Sequence, residues 1–139
     1  MTTLVLIGCT AKKLARAAPA RELYQGRLFA ASVQYAEARG LPWLVLSALH
    51  GVVGPDDVLE PYDVTLAGLS SADRETWGSV VAVTLRRLGA TRVIVLAGRE
   101  YVRPWRDAVA EIAVEEPLLG RGVGARFAWL KAHRMEARP

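Results

Sequence analysis

Short apolar runs alternate with longer amphipathic segments, and this alternation constrains the fold more than any other feature of the chain. Residues 4–8, 43–47 and 92–97 are rich in Val, Leu and Ile, which is typical of strands buried on both faces. A weaker fourth strand is predicted at residues 112–115. The helical segments between them indicate βαβ units with right-handed crossovers. We therefore predict one three-layer α/β domain over residues 1–139, with a mostly parallel four-stranded sheet and helices on both faces.

Helices are predicted from apolar spacing and from the residues that can begin or end a helix. Ser70 can cap the start of a long helix, and Gly40 and Gly89 are placed to end the helices before them. Pro104 suits the first turn of a helix. The predicted helices cover residues 22–39, 70–88, 101–112 and 120–133.

Polar residues gather where each of the first three predicted strands ends. In open α/β sheets, ligands bind in the crevice at the carboxyl ends of the strands. Residues 8–13 follow the first strand, residues 47–63 follow the second, and residues 98–101 follow the third. We therefore expect these three segments to converge on one site.

The first of these segments, GCTAKK at residues 8–13, is a turn of small residues followed by two lysines. Its backbone N–H groups, hydroxyl and ammonium groups suit a phosphate or a carboxylate. It lacks the spacing of a P-loop, and a tight turn with solvated lysines is the alternative. Cys9 is either a nucleophile beside the cationic Lys12 or a small residue packed at the end of a strand.

The second segment, residues 47–63, contains a histidine and two carboxylates that are candidate catalytic groups. His50 can donate to a phosphate or a departing base, or act as a general acid, and Gly51 permits a turn beside it. Glu60 and Asp63 flank a proline-containing dipeptide that would hold them in a fixed relation to a ligand. They can bind ribose hydroxyls or activate a water. A structural histidine and solvated carboxylates are the alternative.

Gly26 falls inside the predicted helix at residues 22–39, where glycine costs up to about 1 kcal/mol relative to alanine. Close approach of a ligand would justify this cost, and Tyr24 and Arg27 would then lie one turn apart and face that ligand. Packing of another helix against Gly26 is the alternative.

The C-terminal segment carries the entire net charge of +4, because the last twenty residues hold five basic side chains and one acidic side chain. The same segment contains Phe127, Trp129 and His133. Basic and aromatic side chains together can contact phosphates and stack on bases, although a solvated helix face is the alternative. The predicted nucleic-acid contacts are Arg121, Arg126, Lys131 and Arg134.

Several classes of protein are disfavoured by the sequence. No apolar run approaches the roughly 18 residues of a membrane span. One cysteine cannot form an internal disulfide, which suits the reducing cytoplasm. Gly120, Gly122 and Ala125 match a dinucleotide-binding spacing, but no strand follows them. No cluster has the spacing of metal ligands. We therefore expect no membrane segment, no metal and no cofactor.

Four stretches of the sequence resemble a known family. LIGCTAKK, PARELYQGRLF, LSALHGVVGPDDVLEPYDVTL and PLLGRGVGARFAWL resemble the small bacterial and phage domains of the DUF6884 family, which lacks an assigned activity. More loosely, the chain resembles YaaA-type and uracil-DNA-glycosylase-like α/β domains, some of which occur beside transglycosylases that exchange bases in tRNA or DNA. The resemblance implies a site at Gly8, Cys9, Lys12 or Lys13, Tyr24, Gly26, Ser47, His50, Gly51, Glu60, Pro61, Tyr62 and Asp63.

Three functions fit these features. The first is an enzyme that handles the base of a nucleotide or nucleic acid, of the N-glycosidase type, with His50, Glu60 and Asp63 as catalytic residues. The second is a binding module for the same ligands without catalysis, and the third is a hydrolase using Cys9 and His50. The expected partner is a nucleotide or nucleic acid, DNA rather than RNA. The predicted ligand- or phosphate-binding residues are Gly8, Cys9, Thr10, Lys12, Lys13, Tyr24, Arg27, Ser47, Gly51, Tyr62, Gly98 and Arg99.

Overall fold

The computed structural model describes residues 2–134, which form a mixed α/β fold. The strands are β1 (Thr2–Gly8), β2 (Ala18–Pro19), β3 (Trp43–Ser47), β4 (Gly51–Val53), β5 (Val58–Leu59), β6 (Ala90–Leu96) and β7 (Ala113–Glu115). The helices are α1 (Ala20–Leu23), α2 (Arg27–Ala38), α3 (Ser71–Arg87), α4 (Arg103–Arg106) and α5 (Val123–Arg134). No helix within residues 2–134 is long and apolar enough to span a membrane.

The central sheet has the strand order β4-β3-β1-β6-β7. Strand β1 is in the middle and runs parallel to β3 on one side and to β6 on the other, so that Leu6 lies opposite Leu44 and Val95. Strand β7 is also parallel to β6, whereas β4 is antiparallel to β3. The sheet is therefore mostly parallel, as predicted.

The sheet has five strands, so the predicted number of four is wrong. The additional strand is β4, which lies within the polar segment at residues 47–63 that follows the second predicted strand. Gly51 has a φ of +81°, and this left-handed backbone reverses the chain just after β3. Val52 and Val53 then pair with Leu46 and Val45 at the sheet edge. A separate two-stranded sheet joins β2 to β5.

The core divides into two clusters because the side chains of β1 alternate between the two faces of the sheet. The first cluster includes Leu4, Leu6, Trp77 of α3 and Trp105 of α4. The second includes Val5, Ile7, Tyr35 of α2 and Leu130 of α5. The two clusters therefore lie on opposite faces of β1.

The helix predicted at residues 22–39 is interrupted, and the expectation that Gly26 lies inside a helix is wrong. Helix α1 ends at Leu23, Tyr24 is extended, and α2 begins at Arg27. The reason is Gly26 itself, whose φ of +128° is outside the helical region and is accessible mainly to glycine. Tyr24 and Arg27 are therefore not one helical turn apart.

The other predicted helices have mixed outcomes. Helix α3 agrees closely with its prediction, and Ser70 Oγ accepts a hydrogen bond from the backbone N–H of Asp73 at 3.1 Å. The region predicted as one helix at residues 101–112 is instead α4 between short 3₁₀ turns. Pro104 does lie in the first turn of α4, as expected. Helix α5 begins three residues later than predicted, after the glycine-rich lead-in.

Gly78 provides a test of how α3 packs against α4. A Cβ atom built on Gly78 overlaps the carbonyl oxygen of Pro104, a backbone atom that cannot move without shifting α4. We expect Gly78→Ala to lower the free energy of unfolding by about 1–3 kcal/mol or more. Urea denaturation followed by circular dichroism measures the change.

Gly124→Ala is the matched control because Gly124 also lies in a helix but has no atom within 4 Å of the added Cβ. Alanine is the better helix former, so we expect unchanged stability or a gain of up to about 1 kcal/mol. Equal destabilisation by both substitutions would contradict the close approach of α3 and α4.

Candidate functional site

A cavity of about 890 Å³ opens at the carboxyl ends of β1 and β6. From β1 the chain first adds β3 on one side and later returns to add β6 on the other side. In open α/β sheets this reversal of strand order leaves a crevice where ligands bind. The volume is within the range of small-molecule and cofactor sites.

The base of the cavity is closed where two strands approach each other. A Cβ atom added to Gly8 would lie 3.0 Å from Ala97 Cβ, so the position after Ile7 has little space for a side chain. The apolar side chains of its wall include Leu28 and Phe29 of α2, together with Leu118. The cavity thus combines a backbone floor with apolar sides.

Charged groups from three different elements line the same cavity. Arg74 comes from α3, Arg99 from the turn after β6, and Arg126 from α5. Among the described residues, Glu100 is the one carboxylate in the lining. Its Oε1 lies 2.5 Å from the position of a Cβ atom built on Gly98, so the carboxylate folds back over that glycine. The glycine is therefore needed for this conformation of Glu100.

The turn at residues 8–13 contributes less to the cavity than the sequence indicated. Cys9 and Thr10 line it, but the two lysines do not. Thr10 Oγ1 donates to the carbonyl oxygen of Lys12 at 2.7 Å, and Lys13 Nζ donates to the carbonyl oxygen of Thr10 at 2.5 Å. The hydroxyl and one ammonium group therefore stabilise the turn itself, and Lys12 is exposed.

Cys9 lies at the edge of the cavity, with a phenol as its polar partner. Its Sγ is 3.3 Å from Tyr101 Oη, and its backbone N–H donates to the carbonyl oxygen of Leu46 at 3.0 Å. The side chain contacts both core clusters. Both packing and exposure to a ligand are thus compatible with its position.

On the β3 side of β1, three side-chain hydroxyls form a chain that we call the tyrosine cluster: Tyr24, Tyr62 and Ser47. Tyr62 Oη is 2.7 Å from both Tyr24 Oη and Ser47 Oγ. Ser47 is fully buried, and its Oγ also accepts from the backbone N–H of His50 at 3.0 Å. Lys13 Nζ lies 4.3 Å from the centre of the Tyr62 ring, a cation–π distance. These contacts therefore connect four segments of the chain, which contain Lys13, Tyr24, residues 47–50 and Tyr62.

Burial raises the pKa of three phenols near the end of β1. Loss of hydration is the main cause for Tyr62, followed by the nearby Cys9 thiol. Burial is also the main cause for Tyr101, followed by its hydrogen bond with Cys9. The pKa of Tyr24 is raised by burial as well. All three phenols therefore remain protonated at neutral pH and can donate hydrogen bonds.

The three predicted catalytic residues lie outside the cavity lining. The exposed His50 packs edge-on against the Tyr62 ring, with 5.5 Å between ring centres. Glu60 and Asp63 are exposed on either side of Tyr62. They belong to the segment that follows β3, and that segment reaches the cavity lining only further along, at residues 65–67. Their catalytic role stays a prediction.

The remaining predicted ligand residues divide between the two sides. Gly98 and Arg99 line the cavity, whereas Gly51 begins β4 and pairs with Ser47. The Arg27 guanidinium lies 5.6 Å from the centre of the Phe127 ring, where α2 meets α5. Arg27 is exposed and is not part of the cavity lining.

The predicted nucleic-acid residues of the C-terminal segment have different surroundings in the structure. Arg126 lines the cavity, and its Nε donates to the carbonyl oxygen of Arg121 at 2.9 Å. Arg134 donates to Gln34 Oε1 of α2 at 2.8 Å, and Lys131 is exposed. Glu136 and Arg138, which contribute to the net charge of the segment, lie outside the described residues.

Sequence reasoning missed Arg74, Glu100 and Tyr101 as individual site residues. The signal for Glu100 and Tyr101 was present, because both belong to the polar segment that directly follows β6. Arg74 had no comparable signal, since its place depends on how the start of α3 lies against the turn after β6. Within residues 2–134, no group of three or more His, Cys, Asp or Glu side chains is arranged to hold a metal.

Comparison with known proteins assigns the chain to a family. A family of unknown function, DUF6884, matches residues 4–132. The chain belongs to this family. The predicted resemblance to DUF6884 is thereby confirmed, and the match includes the cavity and the tyrosine cluster. A search of curated proteins finds no match. The looser resemblance to YaaA-type and uracil-DNA-glycosylase-like domains stays a prediction.

The tyrosine cluster predicts a specific coupling between Tyr62 and Ser47. Tyr62→Phe removes the hydroxyl shared by two hydrogen bonds and leaves buried partners unsatisfied, so we expect a loss of about 1–3 kcal/mol of stability. Ser47→Ala should cost a similar amount. The double variant should lose less than the sum, because both changes break the same bond. Urea denaturation of all four proteins measures this coupling, and strict additivity would contradict the contact.

The raised phenol pKa values predict a loss of stability at alkaline pH. In the unfolded chain these phenols ionise near pH 10, whereas in the folded chain they keep their protons to higher pH. Above about pH 10 the unfolded state therefore binds fewer protons, and stability falls as pH rises. Below that pH their contribution is constant.

Denaturation midpoints between about pH 8 and about pH 11 measure this dependence. We expect Tyr101→Phe to flatten the alkaline decline, because one of the protons that distinguish the folded from the unfolded state is gone. A decline of the same steepness in this variant and in the unchanged protein would show that Tyr101 is not responsible.

Proposed function

We propose that this protein binds a nucleotide, or one residue of a nucleic acid, in the cavity between β1 and β6 and hydrolyses its N-glycosidic bond. The observation that supports this most is the cavity's lining, in which apolar walls, three guanidinium groups and one carboxylate face a common space. Binding of DNA rather than RNA, and a cytoplasmic location, are expectations that belong to the same proposal.

Different residues of the cavity lining can bind the base and the phosphate of a nucleotide. Leu28, Phe29 and Leu118 offer apolar surface to a planar base. Arg74, Arg99 and Arg126 offer the planar donor groups that pair with phosphate oxygens. The floor at Gly8 lets a ligand approach the backbone at the end of β1. A ligand with an apolar ring at one end and a phosphate at the other fits this distribution.

Glu100 can supply the charge that N-glycosidic cleavage requires. Departure of the base leaves positive charge on the sugar, which a fixed carboxylate stabilises, and the carboxylate can also orient the attacking water. Tyr101 lines the cavity, and its raised pKa keeps the phenol protonated. It can therefore donate a hydrogen bond to the departing base.

A competing assignment keeps His50, Glu60 and Asp63 as the catalytic residues, as the sequence predicted. In that case the reacting bond would lie on the β3 side, above the tyrosine cluster. The thiol hydrolase is a third reading, and in it Cys9 would need a base other than Tyr101, whose pKa is raised. Single substitutions in these groups separate the readings.

Release of free base is the direct measurement. The protein is incubated with nucleosides, nucleotides, single-stranded DNA and RNA, and duplex DNA, and the released base is separated by chromatography. We expect Glu100→Gln to lower turnover by about 10²-fold or more, in line with the loss of a catalytic carboxylate. Ligand affinity should change little, because the glutamine keeps the shape of the side chain.

Glu60→Gln, Asp63→Asn and Cys9→Ser are the matched controls, and we expect each to retain turnover. Loss of turnover in Glu60→Gln together with normal turnover in Glu100→Gln would indicate that the reaction takes place on the β3 side. Loss in Cys9→Ser would favour the thiol hydrolase. Binding without any base release would leave the non-catalytic module as the function.

A further inference from the structure

We propose that the ligand is a nucleic-acid strand rather than a free nucleotide, and that its phosphates continue from the cavity along a row of arginines. This inference rests on the proposed function, because it assumes that one residue of the strand occupies the cavity. The proposed contact with the strand is the surface formed by the turn after β6, the start of α3 and α4. It replaces the C-terminal segment that was predicted from the sequence.

Two further depressions continue from the cavity and share its residues. The first, of about 460 Å³, has Arg74, Arg99 and Arg103 in its lining. The second, of about 180 Å³, is lined by Arg99, Arg103 and Arg106. Arg99 lines both depressions and the cavity. We call this continuous surface, with Arg74, Arg99 and Arg103, the arginine groove.

The guanidinium groups of the arginine groove are available to a ligand. Within residues 2–134, Arg74, Arg99 and Arg103 form no ion pair, whereas Arg106 is held by Glu116 at 2.7 Å. Glu75 and Glu100 also line the first depression. Three guanidinium groups against two carboxylates leave the first depression with an excess of positive charge, which favours a phosphate backbone.

Arg103 is the residue that distinguishes a strand from a free nucleotide. It lines both outer depressions but not the cavity. A nucleotide confined to the cavity reaches Arg74, Arg99 and Arg126 but leaves Arg103 in water. A strand with its reacting residue in the cavity brings the neighbouring phosphates past Arg99 to Arg103. Proteins that follow a single strand use such basic grooves to contact its backbone.

The test measures affinity as a function of strand length. Thymidine monophosphate and oligothymidylates of two, four and eight residues are titrated against the full-length protein by fluorescence anisotropy or competition. We expect affinity to rise at least tenfold from the monophosphate to the eight-residue strand. Arg103→Ala should remove most of this rise without changing the affinity for the monophosphate. It should also reduce the slope of log affinity against log salt concentration by roughly 0.7 per lost phosphate contact.

Arg87→Ala is the matched control, because Arg87 is exposed at the opposite end of α3 from Arg74 and lines none of the three spaces. We expect it to leave the length dependence intact. An equal loss in Arg87→Ala and Arg103→Ala would show general attraction to a basic surface and overturn the groove. A parallel series of oligouridylates separates DNA from RNA as the source of the strand.

The outcomes distinguish this inference from the proposed function. Monophosphate binding that does not strengthen with length overturns the arginine groove and leaves the cavity as a nucleotide site. Failure of every oligomer and of the monophosphate to bind overturns both. Length-dependent binding that Arg103→Ala weakens supports the groove, whichever residue proves to be catalytic.

Discussion

The structure depends on β1 being paired along both edges and buried on both faces. Val5 and Leu6 are fully buried, and parallel partners lie on each side of them. A strand in this position cannot shift its register without moving one core cluster to the other face of the sheet. Its carboxyl end is therefore fixed relative to β3 and β6, and the backbone at Gly8 and Cys9 becomes a rigid base for the polar groups around it. The close approach of Gly8 to Ala97 shows how little space separates these strand ends.

Two polar assemblies lie on opposite sides of that strand end and serve different physical purposes. On the β6 side, the cavity holds guanidinium and carboxylate groups that face open space. On the β3 side, the tyrosine cluster has its hydroxyls satisfied by one another and by backbone groups. A buried network of this kind stabilises one conformation when every member is paired, and it is costly when one member is missing. Cys9 lies between the two assemblies and contacts Tyr101. The cluster thus supports the β1 turn that forms one side of the cavity.

The sequence predicted the elements better than it predicted their arrangement. Apolar runs identified β1, β3 and β6 because burial on both faces leaves a clear signature. The weaker strand predicted at residues 112–115 corresponds to β7, which is largely exposed. The prediction of one continuous helix at residues 22–39 was wrong because apolar spacing does not reveal the φ angle of a single residue. Gly26 adopts a φ of +128°. Strand order could not be predicted from the sequence, because it depends on which side of β1 each crossover packs. This explains why the segment at residues 98–101 was recognised, whereas the cavity's Arg74 was not.

The contacts of the residues between β3 and α3 also change how this segment should be interpreted. Their density of polar groups suggested catalysis, but much of it has a structural explanation. Asp57 Oδ2 accepts from the backbone N–H of Gly54 at 2.7 Å, and Asp56 pairs with Arg21. Tyr62 completes the tyrosine cluster and provides the surface on which His50 packs. Glu60 and Asp63 remain without such a role among the contacts of the described residues. Substitutions of Tyr62 therefore test the fold, whereas substitutions of these two exposed carboxylates test function without disturbing a buried contact.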